Sequence, residues 1–234
     1  MKDLAKIITT VDTPEQATEK VDVLLKTSGL KSIAFVNAHA CVMSNSNKEF
    51  YDALKNVELV FRDGIGAKWL LQYYKILPGY NANGTDLIPL ILQKHKNKNI
   101  VCIGTSEPYL SKSVASLRAR GINITAFLDG FHDFNFIETF LKKNKPDIVV
   151  LGMGMPKQEL FVQHLKNSTF ETPVTLICGG AILDFYAERF NRAPMYIRKV
   201  GLEWLFRLVK EPKRLFNRYV IGIPMFLYLL ITKK

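Results

Sequence analysis

Asp63 is the carboxylate of this 234-residue chain best placed for acid–base chemistry. It follows the apolar run Leu59–Phe61 and sits between Arg62 and Gly64, where a strand-end carboxylate can take the proton of a substrate hydroxyl. The other reading is an aspartate that caps a turn or a helix. Further turns follow other apolar runs: Asn37-Ala38-His39, Gly104-Thr105-Ser106, Gly152-Met153-Gly154-Met155-Pro156-Lys157-Gln158-Glu159 and Gly179-Gly180-Ala181. Glycine turns that lead into helix N-termini favour phosphate, because free backbone N–H groups and the helix dipole face the ligand. No dinucleotide fingerprint is complete: Lys157 replaces the third glycine after Gly152-x-Gly154, and Trp69 does so after Gly64-x-Gly66. The sequence holds neither a GxxxxGK[ST] phosphate loop nor a GxSxG elbow. No His, Cys, Asp or Glu cluster has metal-ligand spacing, so no metal or other cofactor is expected. The plainer readings are a hydrogen-bonded core or cap histidine for His39, first-turn helix residues for Gln158 and Glu159, and core packing for Trp204, Leu205 and Leu208.

These turns need a scaffold that aligns strand ends. The runs Ser32–Val36, Leu59–Phe61, Ile100–Ile103, Ile122–Phe127, Ile148–Leu151 and Val174–Cys178 are strand-length and apolar on both parities, as strands covered on both faces are. Helical stretches lie between them. Thr13-Pro14-Glu15-Gln16 opens one with a capping threonine and Pro at the first helical position. Ser106-Glu107-Pro108 leads into another that stops at Gly121. Strand alternating with helix predicts a Rossmann-like, mostly parallel α/β sheet with helices on both faces. After Gly180 the pattern turns helical only, which places a boundary near residue 190: an α/β core over 1–190 and a helical appendage over 191–234.

The appendage carries the charge. The chain has 32 Lys and Arg against 21 Asp and Glu, a net of +11. The stretch from Arg189 to Lys234 alone carries +9. Such an excess fits nucleic acid, an anionic membrane or phosphorylated ligands. No RNA-binding fingerprint, zinc module or recognition helix accompanies it, so nucleic acid is not expected as a partner. Tyr219–Thr232 is apolar over 14 residues, short of the roughly 20 that span a bilayer. An apolar segment beside basic side chains fits binding at an anionic lipid interface, or a helix docked on the core with a solvated basic face. Cys41, Cys102 and Cys178 are odd in number and far apart, and read as buried thiols of a reducing compartment. Met1–Thr10 shows no signal-peptide pattern, and the expected location is cytoplasmic.

Together these segments resemble the WecG/TagA/CpsF family of bacterial glycosyltransferases, collinearly from about residue 31 to 220. The marks are the Asn37 loop, Asp63-Gly64-Ile65-Gly66, Gly84-Thr85-Asp86-Leu87, Pro156-Lys157-Gln158-Glu159, Gly179-Gly180-Ala181 and Arg192-Ala193-Pro194. Gly201-Leu202-Glu203-Trp204-Leu205-Phe206-Arg207-Leu208 and Glu211-Pro212-Lys213-Arg214, with Arg218-Tyr219 behind, complete them. The resemblance implies an inverting, metal-independent transfer of a sugar from a nucleotide-diphosphate donor to a polyprenyl-diphosphate-linked sugar. It places the enzyme at the inner face of the cytoplasmic membrane, in cell-surface polysaccharide or teichoic acid synthesis. UDP-N-acetylmannosamine or another UDP-hexose is the implied donor. Phe35 stands where many relatives have threonine and Asn81 where many have arginine, so the resemblance does not fix the sugar. The family's aspartate base matches Asp63 and its PKQE glutamine matches Gln158, with Asn37 as a third candidate catalytic side chain. The expected substrate-binding set is His39, Gly64, Gly66, Gly84, Asp86, Gly104, Gly152, Pro156, Lys157, Glu159, Gly179, Gly180, Arg192, Arg207, Arg214 and Arg218. A homo-oligomer is compatible with the sequence. The competing reading is a membrane- or nucleic-acid-binding protein on the same core without transferase activity.

Overall fold

The six apolar runs form six strands, and hydrogen bonding joins them into one all-parallel sheet. The computed structural model describes residues 1–190 and 192–232; Asn191, Lys233 and Lys234, at the expected domain boundary and the basic end of the tail, lie outside them. Helices α1 (Lys2–Ile7) and α2 (Pro14–Leu25) precede β1 (Leu30–Val36). Helices α3 (Ala38–Ser46) and α4 (Lys48–Lys55) lead to β2 (Leu59–Arg62), and α5 (Gly64–Tyr73) and α6 (Gly84–Lys94) to β3 (Ile100–Gly104). Then α7 (Tyr109–Ala119), β4 (Ile124–Leu128), α8 (Phe134–Asn144), β5 (Ile148–Gly152), α9 (Lys157–Asn167) and β6 (Val174–Cys178) alternate.

The strand order is β2-β1-β6-β5-β3-β4, with Thr9 adding one isolated parallel bridge to Phe61 at the β2 edge. One apolar layer buries α1, α3–α5, α8 and α9 on the sheet; the other buries α2, α6 and α7. β4 departs from the two-sided pattern: at the sheet's edge its Thr125 and Phe127 are exposed, and Ile122 falls in the turn before it. Because every strand points the same way, the turns after β1, β2, β3, β5 and β6 gather along one edge, where open α/β sheets bind ligands.

The local signals behave as their chemistry dictates. Thr13 Oγ1 accepts from the Gln16 N–H (3.2 Å), and Gln16 Oε1 reaches back to the Asp12 N–H (2.8 Å). Gly104 and Gly152 face each other in register at the ends of β3 and β5. Gly104 has φ +147°, and a Cβ there would lie 2.3 Å from the Gly152 carbonyl carbon. Its glycine therefore serves close backbone approach. Gly104→Ala is expected to lower unfolding free energy by about 2–4 kcal/mol, from a strained φ and a clash that backbone cannot relieve. A urea midpoint equal to wild type contradicts this.

Beyond the sheet the chain is helical, as expected: α10 (Ile182–Tyr186), α11 (Met195–Lys199), α12 (Glu203–Lys210), α13 (Pro212–Phe216), a π-turn over Asn217–Ile221, and α14 (Gly222–Thr232). α10 joins the layer of α2, α6 and α7. Pro212 starts a new helix. Helix and π-turn run on as one 21-residue element, Pro212–Thr232, long and apolar enough to cross a membrane by length and composition. Its Gly222, Phe226, Leu229 and Leu230 are buried, with Phe226 and Leu230 in the same core as α3 and α5. Ile221, Met225, Tyr228 and Ile231 stay exposed. One side of α14 is thus docked on the core, as the docked-helix reading expects, and the other side is apolar and exposed. α12 overturns the core-packing reading of Trp204, Leu205 and Leu208, because it contains no buried residue.

Candidate active site

The turns at the carboxyl edge and the helices α11–α14 enclose a two-lobed cleft, with one lobe of about 420 Å³ and one of about 280 Å³. Asn37, His39, Asp63, Thr85, Arg207 and Arg218 line both lobes and form the wall between them.

Asp63 does not use its side chain for capping. It occupies the N-cap position of α5, yet its side chain makes no cap hydrogen bond. Asn81 Oδ1 accepts from the Gly64 N–H instead (2.8 Å). Asp63's own N–H is tied to the Val36 carbonyl (2.8 Å), which fixes the β2 end against the β1 end. Asn37 caps α3, with Oδ1 accepting from the Ala40 N–H (3.1 Å), so its Nδ2 is turned to donate to Asp63 Oδ2 (3.3 Å). Burial pushes the Asp63 carboxyl above the usual range; the Asn37 hydrogen bond and the Arg218 and Arg207 charges oppose that rise, and Asp86 adds to it. A carboxylate raised in this way is a stronger base. His39 moves the other way, to about 4, through burial and then the Arg218 charge. It is neutral near pH 7 and a weak proton acceptor beside Asp63.

The cleft is rich in incompletely satisfied arginine. Nε and Nη2 of Arg207 and Nε of Arg218 are buried and meet no acceptor among the described residues. Arg207 also lies over the Phe185 ring (5.2 Å) and Arg218 over Tyr219 (5.5 Å), which fixes their planes. Arg214 reaches the smaller lobe with Arg218, as their four-residue spacing predicts, but it is paired with Glu211 and lies over Phe190 (4.4 Å). Buried guanidinium donors without partners fit a polyanion such as a diphosphate.

The other expected residues divide into lining and support. Gly64, Gly66, Gly84, Gly152, Gly179, Gly180 and Gln158 border the cleft. Gly66 is there for packing, since a Cβ would lie 2.6 Å from the Ala38 Cβ. Gln158 is only 1% exposed; its Oε1 accepts from the Gly180 N–H (3.0 Å) and its Nε2 donates to Glu159 Oε1 (2.8 Å). It braces the Gly179-Gly180 turn from beneath. Gly104, Pro156, Lys157, Glu159, Asp86 and Arg192 are not among the residues lining either lobe. Lys157 Nζ donates to the Gly130 carbonyl (2.7 Å), and the fully buried Glu159 carboxyl is pushed up to about 7 by desolvation. Asp86 anchors the appendage: Arg192 (2.6 Å) and Arg198 (3.4 Å) both reach its Oδ1. Burial acts to raise the Asp86 carboxyl, but the Arg192 hydrogen bond leads the forces that hold it below its usual value.

Sequence reasoning passed over Lys68, Trp69 and Arg198 as lining residues of the larger lobe and Asp184 in the smaller; Asn81, singled out there as a departure from the family pattern, and Trp204, read as core, also line the larger lobe. Gly64 and Lys68, four apart, share one face of α5, a signal readable once that helix was assigned. Asp184 accepts from Thr105 Oγ1 (2.7 Å), and Thr105 holds the left-handed φ of +43°. No spacing rule links these two, 79 residues apart. Among the described residues no three His, Cys, Asp or Glu side chains form a metal-ligating group.

A parallel sheet with a half-buried carboxylate between two lobes and arginines on the shared wall suits an enzyme that brings two substrates to one acidic group. Comparison with known proteins carries this further: the model of the "Glycosyl transferase WecG/TagA/CpsF family" matches residues 3–234, and the chain belongs to that family. Two curated relatives bear the name N-acetylglucosaminyldiphosphoundecaprenol N-acetyl-beta-D-mannosaminyltransferase. The one from Bacillus subtilis strain 168 is 24% identical over 199 residues, covering 83% of this chain and 76% of its own. The one from Bacillus spizizenii is 25% identical over 185 residues, covering 77% and 70%. The protein is a glycosyltransferase.

Proposed function

We propose that the protein moves a sugar from a nucleoside-diphosphate donor to a polyprenyl-diphosphate-linked sugar, with inversion and with Asp63 as the base. The observation that carries this reading is the Asp63 carboxylate, freed from capping by Asn81 and facing both lobes. The acceptor hydroxyl gives its proton to Asp63 as its oxygen attacks the anomeric carbon. The bond from that carbon to the diphosphate oxygen breaks on the opposite face. Arg207 and Arg218 meet the charge that develops on the leaving diphosphate, with donors already in place. Asn37 holds the carboxylate toward the acceptor.

UDP-N-acetylmannosamine is the first donor to test, because both relatives are named as mannosaminyltransferases. Phe35, where many relatives have threonine, lines the smaller lobe, so other UDP-hexoses belong in the same screen. The exposed apolar side of α14 and the basic appendage support attachment to an anionic membrane, where each basic side chain near the surface contributes about 1 kcal/mol. The test is a donor screen with a polyprenyl-diphosphate N-acetylglucosamine acceptor in anionic vesicles. Expected are transfer from one UDP-sugar and vesicle binding that declines as salt rises. Absence of transfer from every donor overturns the reading.

Metal independence is part of the proposal, since arginines supply the positive charge. Turnover is expected to survive a chelator. Loss of activity that Mg²⁺ or Mn²⁺ restores contradicts it.

A further inference from the structure

We propose that the two lobes are divided between the substrates: the larger receives the acceptor, and Trp69, Trp204 and Lys68 hold it there. This assignment rests on the glycosyltransferase reading and specifies where each substrate sits.

The walls differ in chemistry. The smaller lobe is bordered by the glycine turns of Gly152, Gly179 and Gly180 and by Arg214. These are close-approach backbone and a cation, suited to a nucleoside diphosphate. The larger lobe contains both tryptophans of the chain, and the smaller contains neither. Indole faces are electron-rich, and the C–H edges of a sugar ring pack on them. Trp69 is 39% exposed at the rim. Trp204 is half-buried and steadied by the Tyr219 ring, at 5.8 Å between centroids.

A lipid-linked acceptor also needs a cation for its diphosphate and an apolar exit. Lys68 and Arg198 border the larger lobe, and the buried Arg198 Nε meets no acceptor among the described residues. Ile223 and Phe226 of α14 complete the same wall, whereas no α14 residue borders the smaller lobe. The helix with the exposed apolar face therefore adjoins only the larger lobe. Trp69 is six residues along α5 from Asp63, about 9 Å of axial rise, roughly the span from a reacting hydroxyl across one sugar ring.

Because the chain has only two tryptophans, intrinsic fluorescence reports on this lobe directly. The probes are a short-chain prenyl-diphosphate N-acetylglucosamine and UDP, each titrated alone. The acceptor probe is expected to change the emission saturably and UDP to leave it nearly unchanged, although UDP binds by calorimetry. In transfer assays Trp69→Ala and Lys68→Ala are expected to raise the acceptor KM about tenfold or more, with kcat and donor KM within about threefold. Trp69→Phe should recover most of the acceptor affinity. An emission change driven by UDP and not by the acceptor probe overturns the assignment, as does an acceptor KM unaltered in both alanine variants. Failure of the wild type to transfer any sugar instead strikes the underlying reading, which the emission titration does not use.

Discussion

Asp63→Asn is expected to lower kcat by about 10²–10⁴-fold, the usual cost of losing a general base, while the fold and nucleoside-diphosphate binding persist. The fold persists because the Asp63 side chain caps nothing; Asn81 already satisfies the α5 N-terminus. The amide is isosteric, and its oxygen can still accept from Asn37 Nδ2. The pH dependence has a definite sign. The base acts ionised, and burial places its pKa above the usual carboxylate range. Activity is therefore fully present above that raised pKa and is lost as pH falls through it, earlier than for an exposed aspartate. His39, held near 4, adds no second step near neutrality. A variant within threefold of wild type, or an acid limb in the ordinary aspartate range, removes Asp63 from the role.

The arginines of the appendage are expected to be unequal. Arg218→Ala and Arg207→Ala should each cost about 10²–10³-fold in kcat, as for removal of a preorganised donor to a developing anion. Both side chains border both lobes and carry buried donors without an acceptor among the described residues. Arg214→Ala should cost much less, because its guanidinium is already engaged by Glu211 and Phe190. Charge reversal at Arg214 then weakens vesicle binding more than turnover. Removing Arg218 also lifts one of the two causes that depress His39, so that imidazole should titrate higher by NMR. Equal losses at all three arginines mean that the appendage acts only as a generic positive surface.

Much of this was legible in the residues. Five of the six strands follow from short apolar runs, because burial on both faces leaves little room for alternation, whereas β4 at the sheet's edge alternates. Asp63 could be found from its place after β2, and the glycine turns from theirs. What spacing could not show was long-range satisfaction. Whether Asp63 caps α5 depends on Asn81, 17 residues on from Gly64 and beyond the whole of that helix, and the Gln158–Gly180 brace spans 22. The same limit produced the misreading of Trp204, whose helical pattern with Leu205 and Leu208 mimics a core stripe. α12 instead lies against the cleft with its apolar side half open. Lys157 and Asp86 were singled out through motifs; in the folded chain they bind the Gly130 carbonyl and the Arg192–Arg198 pair, and so hold other parts in place.

The central claim is a single displacement, with Asp63 taking the acceptor proton on one face and the diphosphate leaving from the other. The anomeric configuration of the first product tests it most directly, read by proton–carbon coupling at the transferred sugar's C1. An account with one base and no covalent sugar intermediate requires the configuration opposite to that of the donor. Retention of the donor's configuration contradicts it.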